Sequence, residues 1–358
     1  MENKNNEVVN GIVKKLESKE FTIYFYTMDV KGAQKGAIAN TYDMVKNLIS
    51  LGYDAKILHD KNDYLEFHPA GWLGDEYLAI PHVSMESKPG IRPEDFIVVP
   101  EVFGSIMKGM AENKFPSKNV VLCQSPEYIF ETLEGGHTWG MYNFTDVITT
   151  NNSISDYVKD VFPMVKTHVV SPVVSDCFKS NTKLKQPIVA VHTRNQSDFS
   201  KIYKSFLVKY PMLRWVPFKD LRGLPKEEFA DVLRSACLSV WVDDIAGFGT
   251  FPLESIECDT PVIVKLPNQV PDWAIEPTDD GIKLKDIAIW TDNVVAIPNM
   301  INSFMQTYLE DTIDEELLAN MVAAKGGYIA DKQKDELETT FSTMIEERIK
   351  EFKTLIVG

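Results

Sequence analysis

Cysteine is scarce, four residues in 358, and Cys123, Cys177, Cys237 and Cys258 are widely spaced with no Cys-x-x-Cys pair. That spacing argues against a zinc site and a redox dithiol, and suggests buried, reduced thiols in a cytoplasmic protein. Basic residues are also in short supply: 37 Lys plus Arg stand against 52 Asp plus Glu, a net charge of −15. Affinity resting mainly on phosphate neutralisation is not expected of such a chain, although a local basic groove on an acidic surface remains open. No apolar run approaches the roughly 18 residues of a membrane helix, so no membrane insertion is expected. The opening MENKNNEVVNGIVKKLESKE lacks the apolar stretch and cleavage site of a secretory signal. No Asp-x-Asp, P-loop, Gly-x-Ser-x-Gly or His-Glu-x-x-His occurs. The adjacent pairs Asp243–Asp244 and Asp279–Asp280 would point to opposite faces of a strand, so no metal is expected.

The remaining composition is that of a globular protein, 44% hydrophobic and 25% charged, and the length suffices for two cores. Phe21–Thr27 reads as a strand, about Ala37 to Leu51 as an amphipathic helix closed by Gly52, and Tyr53–His59 as the next strand, which makes a βαβ unit and implies a parallel sheet. Further strands are expected at Phe96–Pro100, Val120–Cys123, Val147–Thr150 and Thr167–Val170, with Asn152 or Ser153 capping the helix after the third. The alternation restarts at Ile188–His192. It continues with a helix near Asp198–Lys209, a strand near Leu213–Val216, a helix over Lys226–Ala236, a strand at Leu238–Val242, a helix at about Pro252–Cys258 and a strand at Pro261–Lys265. The expected fold class is α/β, with two doubly wound Rossmann-like lobes facing a cleft. The expected domains are residues 1–172, residues 173–333, and a C-terminal helix over 334–358 packing back toward the first lobe.

Residues 241–265, WVDDIAGFGTFPLESIECDTPVIVK, carry the most information. A strand ends at Val242, Gly247 and Gly249 follow, and Pro252 stands where a helix can start without losing a needed donor. Glycines let backbone approach a ligand, and the first-turn N–H groups attract an anion such as a phosphate. Glu254, one turn in, is placed to accept hydrogen bonds from sugar hydroxyls. The same pattern also serves as a plain strand-to-helix turn.

GFGTFPLESIECDTPVIV (Gly247–Val264) resembles the donor-site segment of the retaining nucleotide-sugar glycosyltransferases of the GT-B fold, whose pattern is Glu-x7-Glu. VAVHTRN (Val189–Asn195) is similar to the strand that opens that family's second lobe, and Ile287–Asp311 to the stretch whose helix closes it. The resemblance covers most of residues 188–325. It implies a glycosyltransferase that moves a sugar from a nucleoside diphosphate donor to a hydroxyl acceptor, retaining, metal-independent and needing no cofactor beyond the donor. The family's first glutamate falls on Ala246, which leaves Asp243 or Asp244 to take its place. The lysine that follows the arginine falls on Lys201 or Lys204, and Asp259 replaces a turn glycine.

On this reading Arg194 and Lys201 neutralise the donor diphosphate, while Gly247, Phe248, Gly249 and Thr250 form the donor loop. Glu254 holds the ribose, Asp244 lies near the sugar, and the loop Pro217–Leu224 borders the base. In the first lobe, Gly32 sits in a glycine-bearing loop toward the donor. Glu101 and Gln124 each follow a strand end and are expected to face the acceptor, Glu101 also as a proton-handling group. His137, in GGHTWG, is a further acceptor contact or a structural histidine. Each also has a plain reading: Arg194 as a surface salt bridge, Glu254 as a helix-dipole partner, the glycines as packing. The expected acceptor is a glycan or small molecule. A hydroxymethylated base of viral DNA, reached by base flipping, is the alternative. A non-catalytic nucleotide-sugar-binding protein and a sugar-nucleotide epimerase are the rivals from other classes.

Overall fold

The computed structural model describes residues 2–27, 35–65, 72–181 and 184–357. The chain divides into two compact units, Met1–Pro172 with Ala330–Gly358, and Val173–Ile329.

The first unit is built on β1 (Thr22–Tyr26), β2 (Asp54–His59), β3 (His82–Ser84), β4 (Phe96–Pro100), β5 (Lys118–Cys123), β6 (Phe144–Thr149) and β7 (Lys166–Val169). All pair in parallel, in the order β3-β2-β1-β4-β5-β6-β7. Such a sheet needs helices on both faces, so its strands read as apolar runs rather than alternating ones. Successive side chains serve opposite cores: Phe25, Val98, Val120 and Leu122 pack on one face, Tyr24, Val99, Val121 and Cys123 on the other. Within residues 1–172 its helices are α1 (Glu2–Glu17), α2 (Gly36–Ser50), α3 (Gly104–Glu112), α4 (Ile129–Thr132) and α5 (Asn152–Val161). The cap of α5 is Asn151, whose side chain accepts from the Ile154 N–H at 2.8 Å, one residue before the expected position. The polar opening segment is helical as α1, with Val13 and Leu16 in the core and Val9 and Ile12 packed against it.

The second unit holds a parallel sheet of β8 (Gln186–Thr193), β9 (Phe218–Asp220), β10 (Ala236–Val242), β11 (Val262–Lys265) and, after a separate hairpin of β12 (Ile275–Thr278) and β13 (Gly281–Leu284), β14 (Ile289–Thr291). The order is β14-β11-β10-β8-β9. Its helices are α6 (Gln196–Lys209), α7 (Lys226–Ser235), α8 (Phe251–Glu257), α9 (Ile297–Leu309) and α10 (Glu315–Ala324). The strand expected near Leu213–Val216 lies later in the chain. Pro211–Leu213 form a 3-10 turn, and pairing to β8 begins only where the Pro217 carbonyl accepts from the Val189 N–H at 3.0 Å.

The last helix, α11 (Ala330–Val357), starts four residues before the expected Lys334 and belongs to the first unit. Leu337, Phe341 and Met344 enter its core. Gln333 accepts from the Asn47 amide at 2.8 Å and donates to the Ser171 carbonyl at 2.8 Å, while the Arg348 guanidinium donates to the carbonyls of Pro93 and Pro116.

Each of the two parallel sheets has one point where the strand order reverses. In the first it lies between β1 and β4, in the second between β8 and β10. Loops leaving the carboxyl ends of those strands diverge and open a crevice, the usual ligand position in open α/β sheets.

Candidate functional site

The second unit's reversal point is occupied by charge. β8 and β10 run side by side with Thr193 opposite Val242, so the next residue of each strand, Arg194 and Asp243, emerges at the same edge. The Arg194 N–H closes onto the Val242 carbonyl at 2.9 Å, and its guanidinium meets the Asp243 carboxylate at 3.1 and 3.3 Å. Asp243 is half-buried and also accepts from the Ile245 N–H at 3.3 Å; burial pushes its carboxyl up from the usual range while Arg194 pulls it back. Asp244 turns to the other side, pairing with Lys265 of β11. Of the two candidates for the glutamate missing at Ala246, only Asp243 is paired with Arg194. Ala246 itself packs against the apolar core of the unit.

The glycine loop is shaped by the aromatic side chains beneath it. Phe248 is buried against Tyr328, and its carbonyl accepts from the Trp273 indole N–H at 2.7 Å. Gly249 has φ +69°, and a Cβ there would lie 2.4 Å from the Trp241 ring, so glycine is required on both counts. Thr250 precedes α8, whose seven residues make only two turns, a short dipole for the anion site expected of it. Glu254 stands in α8 half-buried; burial drives its carboxyl up to about 7, against the Thr250 hydrogen bond and the Lys226 charge. Asp259 takes the turn position at φ +56°.

The structure does not bring every expected residue to this point. The Lys201 ammonium is held by Asp198 at 3.2 Å, three residues back on the same helix. The loop expected to border the base contains β9 itself, and Asp220 at its end holds the Arg222 guanidinium through Nε at 2.9 Å. A residue that sequence reading passed over is His192, one position before the end of β8. Its ring stacks on Phe251 at 5.2 Å, its Nδ1 is buried without a hydrogen-bond partner, and burial lowers its pKa to about 4. The signal was a single imidazole in an otherwise apolar strand, IVAVHT.

In the first unit, Glu101 follows the last residue of β4 at the reversal point. It is buried, and one carboxylate oxygen accepts from the N–H groups of Gln124 at 3.1 Å and Ser125 at 2.7 Å. Burial raises its pKa to about 7 against those bonds. Gln124 donates to the Ala37 carbonyl at 3.1 Å and accepts from Asn40 at 2.9 Å. These two residues therefore tie the ends of β4 and β5 to the first turn of α2. His137 is hydrogen-bonded through Nδ1 to the Tyr142 hydroxyl at 2.7 Å. Gly32 lies outside the described residues. Among the described residues no group of three or more His, Cys, Asp or Glu side chains is placed to hold a metal ion, and no helix is long and apolar enough to cross a membrane.

No protein-family model matches the chain. An α-1,6-glucosyltransferase of Actinobacillus pleuropneumoniae serotype 7 is 22% identical over 223 residues, which span 62% of this chain and 66%, just under two thirds, of that relative. Among solved structures, TarM of S. aureus in complex with fondaparinux, α-GlcNAc-glycerol and UDP aligns with a TM-score of 0.63 at 9% identity over 90% of this chain and 99% of that one. The pneumococcal O-GlcNAc transferase GtfA with UDP and GlcNAc aligns at 0.62 and 9% identity over 92% and 99%. HepE of Anabaena with UDP-glucose aligns at 0.60 and 12% identity over 90% and 99%. The fold is thus that of the GT-B glycosyltransferases, α/β with two Rossmann-like units. The relative of known sequence is named for glucosyl transfer and the aligned structures hold UDP or a UDP-sugar.

Proposed function

We propose that the protein is a glycosyltransferase that transfers a sugar, retaining its configuration and without a required metal, from a nucleoside diphosphate donor to a glycan or other small hydroxyl acceptor. The observation that carries this reading is Arg194, an exposed guanidinium at the reversal point of the second unit, beside a loop that demands glycine. The relative named for α-1,6 transfer supports a glucosyl donor. Because the sugar of UDP-glucose is itself α-linked, an α-linked product corresponds to retention.

During transfer the bond from the sugar C1 to the diphosphate oxygen breaks, and a bond from C1 to the acceptor oxygen forms. The charge that develops on the diphosphate needs fixed donors in place before reaction, which is the part given to Arg194 and to the backbone of Gly247–Thr250. Glu254 is assigned to the ribose, as the resemblance implies. Glu101 and Gln124 are proposed as positioning residues of the acceptor unit, since their polar atoms hold the ends of β4, β5 and α2. Lys201 and Asp244, each engaged elsewhere, are given secondary parts in donor binding.

Turnover of UDP-glucose tests this reading. Release of UDP that depends on added sugar acceptor, survives a chelator and falls on the order of a hundredfold in Arg194→Ala supports it. An isomerised donor would indicate an epimerase, and UDP binding without turnover a binding protein. Transfer only to hydroxymethylated DNA would move the acceptor to nucleic acid.

A further inference from the structure

We propose that Asp243 is the resident counter-ion of Arg194, occupying the place of the donor diphosphate until the donor displaces it. The inference deepens the donor-site reading above and rests on it. The geometry is specific. Strand register fixes Arg194 and Asp243 side by side at the ends of β8 and β10, and both carboxylate oxygens lie within 3.3 Å of the same guanidinium nitrogen. The neighbouring acid, Asp244, is committed to Lys265, so it does not share the task.

The exposure of the pair suits displacement. The Arg194 side chain is 40% exposed, so the guanidinium is open to a ligand from solvent, while the Asp243 carboxylate, at 15%, is largely desolvated, and a diphosphate can compete with it for the guanidinium. A carboxylate at this position has two effects. It holds the Arg194 side chain near the diphosphate site, and it makes an anionic ligand compete for the Nη1 donor that the carboxylate occupies. The competition falls on the diphosphate alone, because a nucleoside has no group that needs Arg194. Asp243 is thus assigned as a positioning and specificity residue.

The test is a double-mutant cycle on UDP binding, with uridine as the uncharged probe. Asp243→Asn is the informative variant, because its amide oxygen can still accept from the Ile245 N–H; Asp243→Ser is measured beside it in case the first folds poorly. At low ionic strength, Asp243→Asn is expected to tighten UDP about fivefold and to leave uridine unchanged. The gain should shrink as salt is raised and be absent in the Arg194→Ala background. Asp311→Asn, which removes the same charge from an exposed turn where asparagine is well tolerated, should change neither ligand.

Unchanged or weaker UDP binding in both Asp243 variants, with Arg194→Ala still impaired, would overturn the inference and leave the donor-site reading standing. A gain that persists in the Arg194→Ala background, or that Asp311→Asn reproduces, would also overturn it, because Asp243 would then act only as general negative charge. If Arg194→Ala leaves UDP binding intact, the donor-site reading itself fails.

Discussion

Gly249 and Trp241 are in a contact that leaves no room for a methyl group: a Cβ on Gly249 would fall 2.4 Å from the Trp241 ring, which is 2% exposed and fixed in β10. The loop at the candidate donor site is therefore set by the strand that precedes it. Gly249→Ala combines this clash with a left-handed φ of +69° and is expected to cost about 3 kcal/mol, measured by denaturant unfolding. A cost below about 1 kcal/mol would show that the loop adapts freely.

A second prediction concerns acid stability in the first unit. Asp146 is buried between Lys118 at 2.7 Å and His168 at 3.0 Å. Burial alone would raise its pKa, but the His168 and Lys118 interactions outweigh it and bring the value down to about 2. A carboxylate depressed in the folded state contributes stability above its unfolded value of 3.8, lost as pH falls toward 2. Between those values the protein should lose about 2 kcal/mol to this group. Asp146→Asn should be destabilised at pH 7 by about 3 kcal/mol, because the buried Lys118 and His168 lose the carboxylate between them and Lys118 keeps only the longer contact to Glu351 at 3.7 Å, and should show a flatter acid limb. Parallel acid limbs would contradict the assignment.

Much of the fold was legible because fully buried parallel strands are apolar throughout. FIVVP, VVLC and PVIVK announce β4, β5 and β11 for that reason. Helix α1 escaped because its apolar face, Val9, Ile12, Val13 and Leu16, is spread through a polar segment and is covered by α11, more than 300 residues on. The strand near Leu213 was misplaced because Met212 and Trp215 are apolar yet exposed, so hydrophobicity there does not mark burial. At the site, the glycine loop and Arg194 could be named from local sequence. The partner of Arg194 could not: that it meets Asp243 depends on β8 pairing directly with β10, although β9 lies between them in the chain.

Lys185 supplies a third prediction. Its ammonium is half-buried where the chain leaves α7 and α8, donating to the carbonyls of Arg234 at 3.1 Å and Cys258 at 2.7 Å and to the Thr260 hydroxyl at 2.6 Å. Burial lowers its pKa to about 8. Lys185→Met strands helix-end carbonyls without a donor and should cost about 3 kcal/mol by thermal or denaturant unfolding. Wild-type stability in that variant would mean that water replaces the ammonium without loss.

A fourth prediction follows from Glu254, raised by burial from 4.5 to about 7. A raised carboxyl contributes stability that is fully present below its unfolded value and is lost as pH rises through the folded one. Glu254→Gln removes this dependence. Its melting temperature relative to wild type, without ligand, should therefore rise between pH 5 and pH 8. A difference that stays constant over that range would show that Glu254 is ionised throughout.

The central claim is that Arg194 binds the diphosphate of a nucleotide-sugar donor, and calorimetric titration of UDP and uridine into wild type and Arg194→Ala tests it most directly. The account predicts that UDP binding weakens at least tenfold in the variant, a loss of about 1.4 kcal/mol or more, while uridine binds both proteins alike. Equal weakening of both ligands, or UDP binding that the variant leaves intact, would contradict it.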